Sequence, residues 1–268
     1  MTNERRVLVH PDKQALAGAV AARFITKIID VLEERGHADV CLTGGTMGSA
    51  VLQAIADSPA CGTVDWSAIT FWWGDERYLP HGDPERNDTQ SKAALLDQLG
   101  LDPARVKSLP APGEHADIQA AADAYAAELA AAAPDGARAP RFDVMFLGVG
   151  EDGHIASLFP DHAGIRDTEH VVIPETDSPK PPPERLSLTL PIINASDRIW
   201  MVLAGPDKAG ALGLALAGAS SSSVPVAGVE GRRRTVFFVD QEAAAEVPSN
   251  LIAPSYYWTG EDEQAQAE

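Results

Sequence analysis

The stretch "FDVMFLGVGEDGHIAS", residues 142–157, joins an apolar run to a loop that is rich in glycine and charge. After Asp143 the run is apolar up to Gly148, which is typical of a strand buried on both faces of a parallel sheet. Ligands of such sheets bind outside the carboxyl ends of the strands. The loop that begins at Gly148 is therefore a candidate ligand site.

Similar segments recur along the chain and predict an alternation of strands and helices. Short runs rich in valine, isoleucine and phenylalanine predict further strands at residues 5–10, 39–43, 69–73, 170–174, 198–205 and 234–240. Apolar periodicity predicts helices at residues 12–35, 47–57, 88–99, 116–132 and 206–217. We therefore expect an α/β fold with a largely parallel central sheet that is flanked by helices on both faces.

The domain organisation predicted from the sequence is simple. The alternation of strands and helices indicates a single α/β domain over residues 1–259, and "GEDEQAQAE" makes residues 260–268 an acidic tail that we expect to be disordered. A further segment, "SPKPPPE" at residues 178–184, is predicted to be either an exposed loop at the rim of an active site or a mere connector.

Composition narrows the class of partner. The formal net charge of −18 disfavours nucleic acids and anionic membranes, which are bound mainly through lysine and arginine. Two cysteines allow neither a disulfide framework nor a cysteine zinc site. The N-terminus "MTNERRVLVH" has no signal-peptide apolar core, and no apolar run approaches the length of a membrane span. We expect a cytoplasmic protein that is a monomer or a weak homodimer. Its expected ligand is a small phosphorylated molecule, because a few converging cations can form a local positive pocket within an acidic protein.

The loop "LTGGTMG" leaves a predicted strand and enters a predicted helix. Glycines at such a turn let backbone N–H groups and a helix N-terminus face an anion. Gly44, Gly45 and Thr46 are therefore candidates for phosphate contact. The alternative is a tight turn with a threonine cap.

A second loop, in "FWWGDERYLPHGDPERND", places charged side chains directly after a predicted strand. Asp75 and Arg77 are candidate substrate ligands, and the planar guanidinium of Arg77 suits a phosphate. The alternative is a structural ion pair between these two residues.

The glycines within residues 148–153 fit the G-x-G-x-x-G template of dinucleotide sites. That template needs a long helix behind its last glycine and a neutral approach for the pyrophosphate. Glu151 and Asp152 lie inside it, however, and Pro160 follows soon afterwards. A nucleotide site is therefore a weak hypothesis.

His154 follows this glycine-rich strand exit and lies beside Asp152, which makes it the best candidate for a general base. A structural histidine is the alternative. The sequence contains no G-x-S-x-G elbow, no phosphate-binding P-loop and no H-E-x-x-H zinc motif. These observations favour acid–base chemistry, without metal or covalent intermediate, on a small anionic substrate.

Four segments together resemble the 6-phosphogluconolactonase family: "LTGGT" (42–46), "FWWGDERYLP…ERND" (71–88), "FDVMFLGVGEDGHIASLFP" (142–160) and "RLSLTLPIINASDRIWMVLAGPDKA" (185–209). The resemblance implies hydrolysis of 6-phospho-D-glucono-1,5-lactone to 6-phosphogluconate, the second step of the oxidative pentose phosphate pathway. It implies no metal or organic cofactor. It also implies a fold similar to glucosamine-6-phosphate deaminase and ribose-5-phosphate isomerase.

The sibling deaminases share a similar D-G-H loop, but they typically continue G-H-I-A-F-N-E-P. In this chain the loop reads "GHIASLFP", so Phe159 stands where the deaminase glutamate would be. The triplet "DER", where deaminases usually have D-E-Y, also favours a lactonase. A sugar-phosphate isomerase or deaminase and a non-catalytic sugar-phosphate sensor remain the alternatives, with a dehydrogenase the least favoured.

The resemblance implies roles for individual residues. His154 would take the proton of the attacking water, and Asp152 would orient or support its imidazole. Backbone N–H groups near the two glycines of "LTGGT" would receive the oxyanion or line the sugar. Arg77 and Lys208, the latter in a match to the family's G-x-x-K-A motif, would bind the phosphate, with Arg185 as an additional cation.

Overall fold

The structure is a computed structural model that describes residues 4–134, 136–245, 247 and 252. The predicted acidic tail lies outside the described residues. The strands are β1 (Glu4–His10), β2 (Ala38–Leu42), β3 (Ile69–Trp73), β4 (Asp75–Arg77), β5 (Val106–Lys107), β6 (Val144–Gly148), β7 (Val172–Glu175), β8 (Arg185–Leu188), β9 (Arg198–Leu203) and β10 (Arg234–Asp240). The helices are α1 (Lys13–Arg35), α2 (Gly45–Ala56), α3 (Asn87–Ala94), α4 (Ile118–Ala132), α5 (Leu190–Asn194), α6 (Ala209–Leu216) and α7 (Gln241–Ala244).

Within these ranges, seven strands form a parallel sheet in the order β1-β10-β9-β6-β2-β3-β5. The strand β6, which leads into the glycine-rich loop, lies at its centre between β9 and β2. A second sheet of three antiparallel strands has the order β4-β8-β7. The predicted α/β fold with a largely parallel sheet is confirmed, but the predicted strand at 170–174 contributes to the second sheet.

Aromatic side chains fill the core on both faces of the parallel sheet. On one face, Phe24 of α1 packs against Phe146 of β6 with ring centroids 5.5 Å apart. The register pairs Met145 and Trp72 with the same residue of β2, so both side chains occupy the opposite face. There Tyr125 of α4 meets Trp72 edge-on at 6.2 Å. Helices therefore cover both faces of the sheet, as predicted.

Helix ends follow local sequence signals in some places and depart from them in others. Asp12 caps α1 by accepting from the Ala15 N–H at 2.8 Å, and Gly36 ends it in a left-handed conformation at φ 74°. The helix predicted at 88–99 ends at Ala94, because Leu95 turns out of helical geometry at φ −148°. No helix in the described ranges has the length and apolar character that crossing a membrane requires.

The strands β4 and β8 were not predicted, because their sequences carry charge, and neither was the two-residue strand β5. In β4, Glu76 is completely buried, and in β8, Arg185 is only 4% exposed. Their antiparallel pairing places Arg77 opposite Arg185. Buried charges need partners. Glu76 accepts from the N–H groups of residues 11 and 12 positions further along the chain, and a local pattern does not reveal such contacts.

Candidate active site

The predicted site residues follow strands of the parallel sheet and so gather at its carboxyl edge. Gly44 follows β2, Asp75 comes just after β3, His154 follows β6 and Lys208 follows β9. Their strands stand in the order β9-β6-β2-β3 in the sheet. The loop of His154 is therefore central in this group.

The side chains of His154 and Asp152 form a hydrogen-bonded pair, which we call the dyad. Nδ1 of His154 lies 2.6 Å from Oδ1 of Asp152, which also accepts the His154 backbone N–H at 3.2 Å. Partial burial acts to raise the pKa of Asp152, but the hydrogen bonds and charge of His154 lower it to about 2. An ionised Asp152 holds the proton on Nδ1 and leaves Nε2 as the basic nitrogen.

Glycine permits the tight turn that makes this contact. The Gly150 N–H donates to the His154 carbonyl at 2.9 Å, and the Gly153 N–H donates to the Gly150 carbonyl at 3.0 Å. Gly153 adopts φ 81°, a conformation that other residues rarely take. The glycines that fit the nucleotide template thus allow a tight turn that brings Asp152 against His154.

We predict that Gly150→Ala lowers kcat/KM by about 100-fold, because small displacements of catalytic groups cost that much. A Cβ at this position would lie 2.0 Å from His154 Nδ1 and 2.4 Å from Asp152 Oδ1, so the dyad has to move. Steady-state kinetics of Gly148→Ala provide the control, since its Cβ would come no closer than 3.6 Å, to Thr43 Oγ1. Equal activities of the two variants would contradict the prediction.

Asp75, a predicted substrate ligand, accepts hydrogen bonds from protein groups with both of its carboxylate oxygens. Oδ2 accepts from the Ser157 hydroxyl at 2.7 Å, and Oδ1 accepts from Asn87 Nδ2 at 3.1 Å. The Ser157 N–H donates in turn to the Ser187 hydroxyl at 3.1 Å. These contacts tie the loop of the dyad to β4, β8 and α3. The roles of Ser157 and Asn87 were not predicted from the sequence, since neither residue type signals such a contact by itself.

The glycine turn after β2 lies against the start of α3. A Cβ on Gly44 would fall 2.0 Å from Asn87 Oδ1, so the chain passes too close for any side chain. Gly45, at φ 78°, donates its N–H to Gln90 Oε1 at 3.0 Å. An oxyanion could use that N–H only by displacing the Gln90 amide. Thr46 is exposed in the first turn of α2 and does not cap it, because the cap position is Gly44.

Arg77 and Arg185 face each other across β4 and β8. Arg77 donates from one terminal nitrogen to the Glu85 carbonyl at 2.5 Å, and in the described part of the chain its buried Nε has no hydrogen-bond partner. Burial lowers the pKa of Arg185, and the charge of Arg77 lowers it further. Two opposed cations with an unused donor are an arrangement that a bound anion would stabilise.

Arg185 and Lys208, the predicted cations besides Arg77, contact near neighbours in the sequence. Arg185 donates to the carbonyls of Lys180, Pro181 and Pro182 at 3.0–3.2 Å. Lys208 lies in a short turn after β9, and its ammonium is 2.9 Å from Asp207 Oδ2. Both residues lie in the segment 185–209, which carries part of the family resemblance. The hydrogen bonds and the ion pair described here do not join them to the dyad.

Metal ligands do not cluster around the dyad. Over residues 4–134, 136–245, 247 and 252, no group of three or more His, Cys, Asp or Glu side chains is placed to hold a metal ion. Cys41 is buried beneath the sheet's carboxyl edge, and burial raises the pKa of its thiol. The arrangement offers a base, a supporting carboxylate and nearby cations.

Known proteins that are similar to this chain include 6-phosphogluconolactonases. The 6-phosphogluconolactonase of Streptomyces coelicolor is 51% identical over 259 residues, 95% of this chain and 99% of that protein. The Mycobacterium tuberculosis 6-phosphogluconolactonase is 42% identical over 243 residues, 90% of this chain and 98% of that protein. The structure of 6-phosphogluconolactonase from Thermotoga maritima superposes with a TM-score of 0.77 at 26% identity, covering 89% of this chain and all of that one.

The same fold occurs in a monomeric glucosamine-6-phosphate deaminase, with a TM-score of 0.72 at 20% identity over 90% of this chain and 99% of that chain. Residues 11–238 match the family described as glucosamine-6-phosphate isomerases/6-phosphogluconolactonase. This match spans most of the sheet, the dyad and both opposed arginines. The chain therefore belongs to the glucosamine-6-phosphate isomerase/6-phosphogluconolactonase family.

Proposed function

We propose that this protein hydrolyses 6-phospho-D-glucono-1,5-lactone to 6-phospho-D-gluconate, the second step of the oxidative pentose phosphate pathway. The observation that carries the proposal is the dyad, with its 2.6 Å contact at the carboxyl edge of β6. It occurs in a chain that is 51% identical to a 6-phosphogluconolactonase over nearly its whole length.

The dyad supports a direct attack by water. His154 Nε2 takes a proton from water as its oxygen bonds to the lactone carbonyl carbon, and Asp152 stabilises the resulting imidazolium. The carbon–oxygen bond of the ring then breaks, and the imidazolium returns its proton to the leaving ring oxygen. The product is an open-chain acid, and its carboxyl proton is released to solvent. His154 thus begins and ends the cycle neutral.

The surroundings of the imidazole favour a lactonase over a deaminase. Phe159 is completely buried, and its ring centroid lies 4.6 Å from that of His154. Its other neighbours include Arg185, whose Cζ is 5.6 Å from the ring centroid. A phenyl ring cannot supply the second acid–base group that the deaminase glutamate provides. This contact supports ester hydrolysis rather than amine release.

We expect Arg77→Met to raise KM for the lactone by about tenfold or more, with a smaller change in kcat. The buried Nε without a partner and the opposed Arg185 support phosphate binding at this arginine. Initial rates over a range of lactone concentrations give KM and kcat separately. Inorganic phosphate should inhibit the variant less than the wild type. An unchanged KM would count against this role.

The decisive experiment generates the lactone with glucose-6-phosphate dehydrogenase and then follows acid release with and without the protein. Acceleration beyond the spontaneous background supports the proposal. Ammonia release from glucosamine 6-phosphate would instead support a deaminase. Saturable binding of 6-phosphogluconate without turnover of the lactone would support the sugar-phosphate sensor.

Several expectations from the sequence are retained here as proposals. They are a single domain over residues 1–259, a cytoplasmic location, no bound cofactor and a monomeric or weakly dimeric state. Phosphate contacts by Lys208 and by the turn of Gly44, Gly45 and Thr46 are likewise proposed. Size-exclusion chromatography with light scattering would test the oligomeric state.

A further inference from the structure

A large cavity lies on the α1 face of the parallel sheet, and neither residue of the dyad lines it. Its volume is about 810 Å³, and its walls come mainly from α1 and from the strands β1, β10 and β9 at one edge of the sheet. We call it the edge cavity. Parallel sheets are normally covered by helices on both faces. Within residues 4–134 and 136–245, however, α1 is the only helix that lines this cavity, so the fold has room there for a further segment.

The interior of the edge cavity is apolar and aromatic. Trp200 and Phe238 form its floor on the sheet, where both are almost completely buried and meet edge to face with ring centroids 5.4 Å apart. On its walls Leu8 is half-buried and Ala22 is exposed. Arg23 of α1 reaches over the floor, with Cζ 6.0 Å from the Phe238 ring centroid. Such a recess suits aromatic side chains, which bury a large area and stack with arginine.

Positive charge surrounds this interior. Among the described residues, the lining holds one carboxylate, that of Asp30, and five cations: Arg6, Arg23, Lys27, Arg198 and Arg234. Asp30 is already paired with Lys27 at 2.5 Å. Burial lowers the pKa of Arg198, and the charge of the nearby Arg233 lowers it further. In a chain with a net charge of −18, the edge cavity is therefore a local positive site that favours an acidic occupant.

The chain itself contains a segment of matching composition, residues 253–268, which lies outside the described residues. It reads "APSYYWTGEDEQAQAE". Three consecutive aromatic residues, 256–258, are followed within a few positions by the acidic run 261–263, and the segment has neither lysine nor arginine. Its aromatic part matches the interior of the cavity, and its acidic part matches the cationic rim.

The path of the chain leads this segment to the cavity. The helix α7 directly follows β10, and Val247, three residues beyond α7, is buried. The chain therefore leaves α7 near the carboxyl end of a strand that lines the cavity, and Ile252 still packs against the core. Residues 248–258 can span roughly 35 Å when extended. The floor along β10, from Arg234 to Phe238, is only about 13 Å long.

We propose that residues 253–263 occupy the edge cavity, with Tyr256, Tyr257 and Trp258 in its aromatic interior and the carboxylates of residues 261–263 at its cationic rim. Attachment to the same chain gives the segment an effective concentration in the millimolar range, which favours it over a free molecule of similar chemistry. The carboxylates need no fixed conformation for this, because charges act over a Debye length of about 8 Å. The segment thus completes the layer that α1 leaves open. This inference is independent of the proposed function, since the cavity and the dyad share no residue.

The experiment labels the full-length protein with fluorotryptophan and follows the tryptophan signals by fluorine NMR. Trp258 and Trp200 are assigned by the loss of their signals in Trp258→Phe and Trp200→Phe. We expect the Trp258 signal to lie away from that of the free peptide 253–268 and to shift less between light and heavy water. Trp258→Phe should also shift the Trp200 signal, but not that of Trp72 on the opposite face of the sheet. A Trp258 signal that coincides with that of the peptide would overturn the inference.

Reversal of charge tests the rim. In Arg23→Glu/Lys27→Glu, repulsion should move the Trp258 signal toward that of the free peptide. Adding Glu261→Lys/Glu263→Lys to this variant restores the attraction, so the signal should return toward its wild-type position. A merely structural effect of changing α1 predicts no such rescue. An unmoved signal in the first variant, or a failed rescue in the second, would contradict the proposed contact.

The matched control is Arg141→Glu/Arg166→Glu, which changes the net charge by the same amount. Both arginines are exposed and neither lines the edge cavity, so the Trp258 signal should keep its wild-type position. A shift as large as that in Arg23→Glu/Lys27→Glu would mean that net charge alone moves the signal, and the inference would fail.

Two other occupants are distinguished with the same proteins. If a second copy of the chain supplied the segment, the Trp258 signal would move to the free position on dilution, whereas we expect it to be independent of protein concentration. If the cavity were open to small amphipathic anions, the dye anilinonaphthalene sulfonate would bind the wild-type protein. We expect the dye to bind the variant Tyr257→Ala/Trp258→Ala and not the wild type. Movement on dilution, or dye binding by the wild type as strong as by the variant, would overturn the inference.

Discussion

Replacing His154 with alanine is expected to lower kcat for lactone hydrolysis by about two to four orders of magnitude, the usual contribution of a general base. The variant loses the nitrogen that accepts the proton of water, whereas the anion-binding side of the site is untouched. KM should therefore change much less than kcat. The side chain is 16% exposed and forms one side-chain hydrogen bond, so the fold should survive its removal.

The measurement is the rate of acid release above the spontaneous background, in a coupled assay at saturating lactone. His170→Ala is the matched control, because His170 also pairs with an aspartate, Asp167, at 2.8 Å but is 61% exposed on the surface. Its turnover should stay near that of the wild type. Near-normal turnover of His154→Ala would exclude this histidine as the base.

Replacing Arg86 with methionine is expected to lower the free energy of unfolding by about 3–5 kcal/mol, as when one partner of a buried ion pair is removed. Arg86 is completely buried. It donates to Asp88 at 2.8 Å and to the carbonyls of Leu79 and Leu109 at 2.9 and 2.7 Å. Burial raises the pKa of Glu76 to about 8, against the lowering effect of Arg86. Without the guanidinium, Glu76 would lose the cation 3.9 Å away, and Asp88 would keep only Lys92, at 3.1 Å.

Urea unfolding at neutral pH, followed by tryptophan fluorescence, gives the change in stability. Arg105→Met is the control, because Arg105 is only partly buried and donates to the Thr70 hydroxyl at 3.2 Å. Its free energy of unfolding should change by about 1 kcal/mol or less. A similarly small change for Arg86→Met would mean that solvent reaches Glu76 and Asp88 more easily than the structure indicates.

The fold was predictable where the periodicity is strong. The apolar stripe of α1, its cap at Asp12 and the apolar run of β6 each specify their element locally. The small antiparallel sheet was not predictable, because charge in β4 and β8 is buried through contacts that depend on how the neighbouring loops fold. Glu76, for example, accepts from the Asn87 and Asp88 N–H groups at 2.7 and 2.9 Å. No local pattern distinguishes such a carboxylate from a solvated one.

The candidate site was predictable to a similar degree. Asp152 and His154 are two residues apart, so a glycine turn suffices to bring them together, and the structure does so. Asp75 was predicted to bind substrate because charged residues after a strand often do, yet its oxygens bind Ser157 and Asn87. The loop of residues 178–184 was predicted to be either the rim of an active site or a connector. The contact of its Lys180 with Glu151 was not predictable, because it depends on how the loop folds.

The bond between Ser157 and Asp75 joins residues 82 positions apart. The Ser157 N–H also donates to the hydroxyl of Ser187 in β8, which lies 30 residues further along the chain. Contacts of such long range carry a large loop-closure entropy and form late in folding. A nascent or partly refolded chain can thus possess its helices and its central strands before it possesses a working dyad. Enzyme activity is in consequence a reporter of the completed tertiary structure, and recovery of helical signal alone would overstate the yield of native protein.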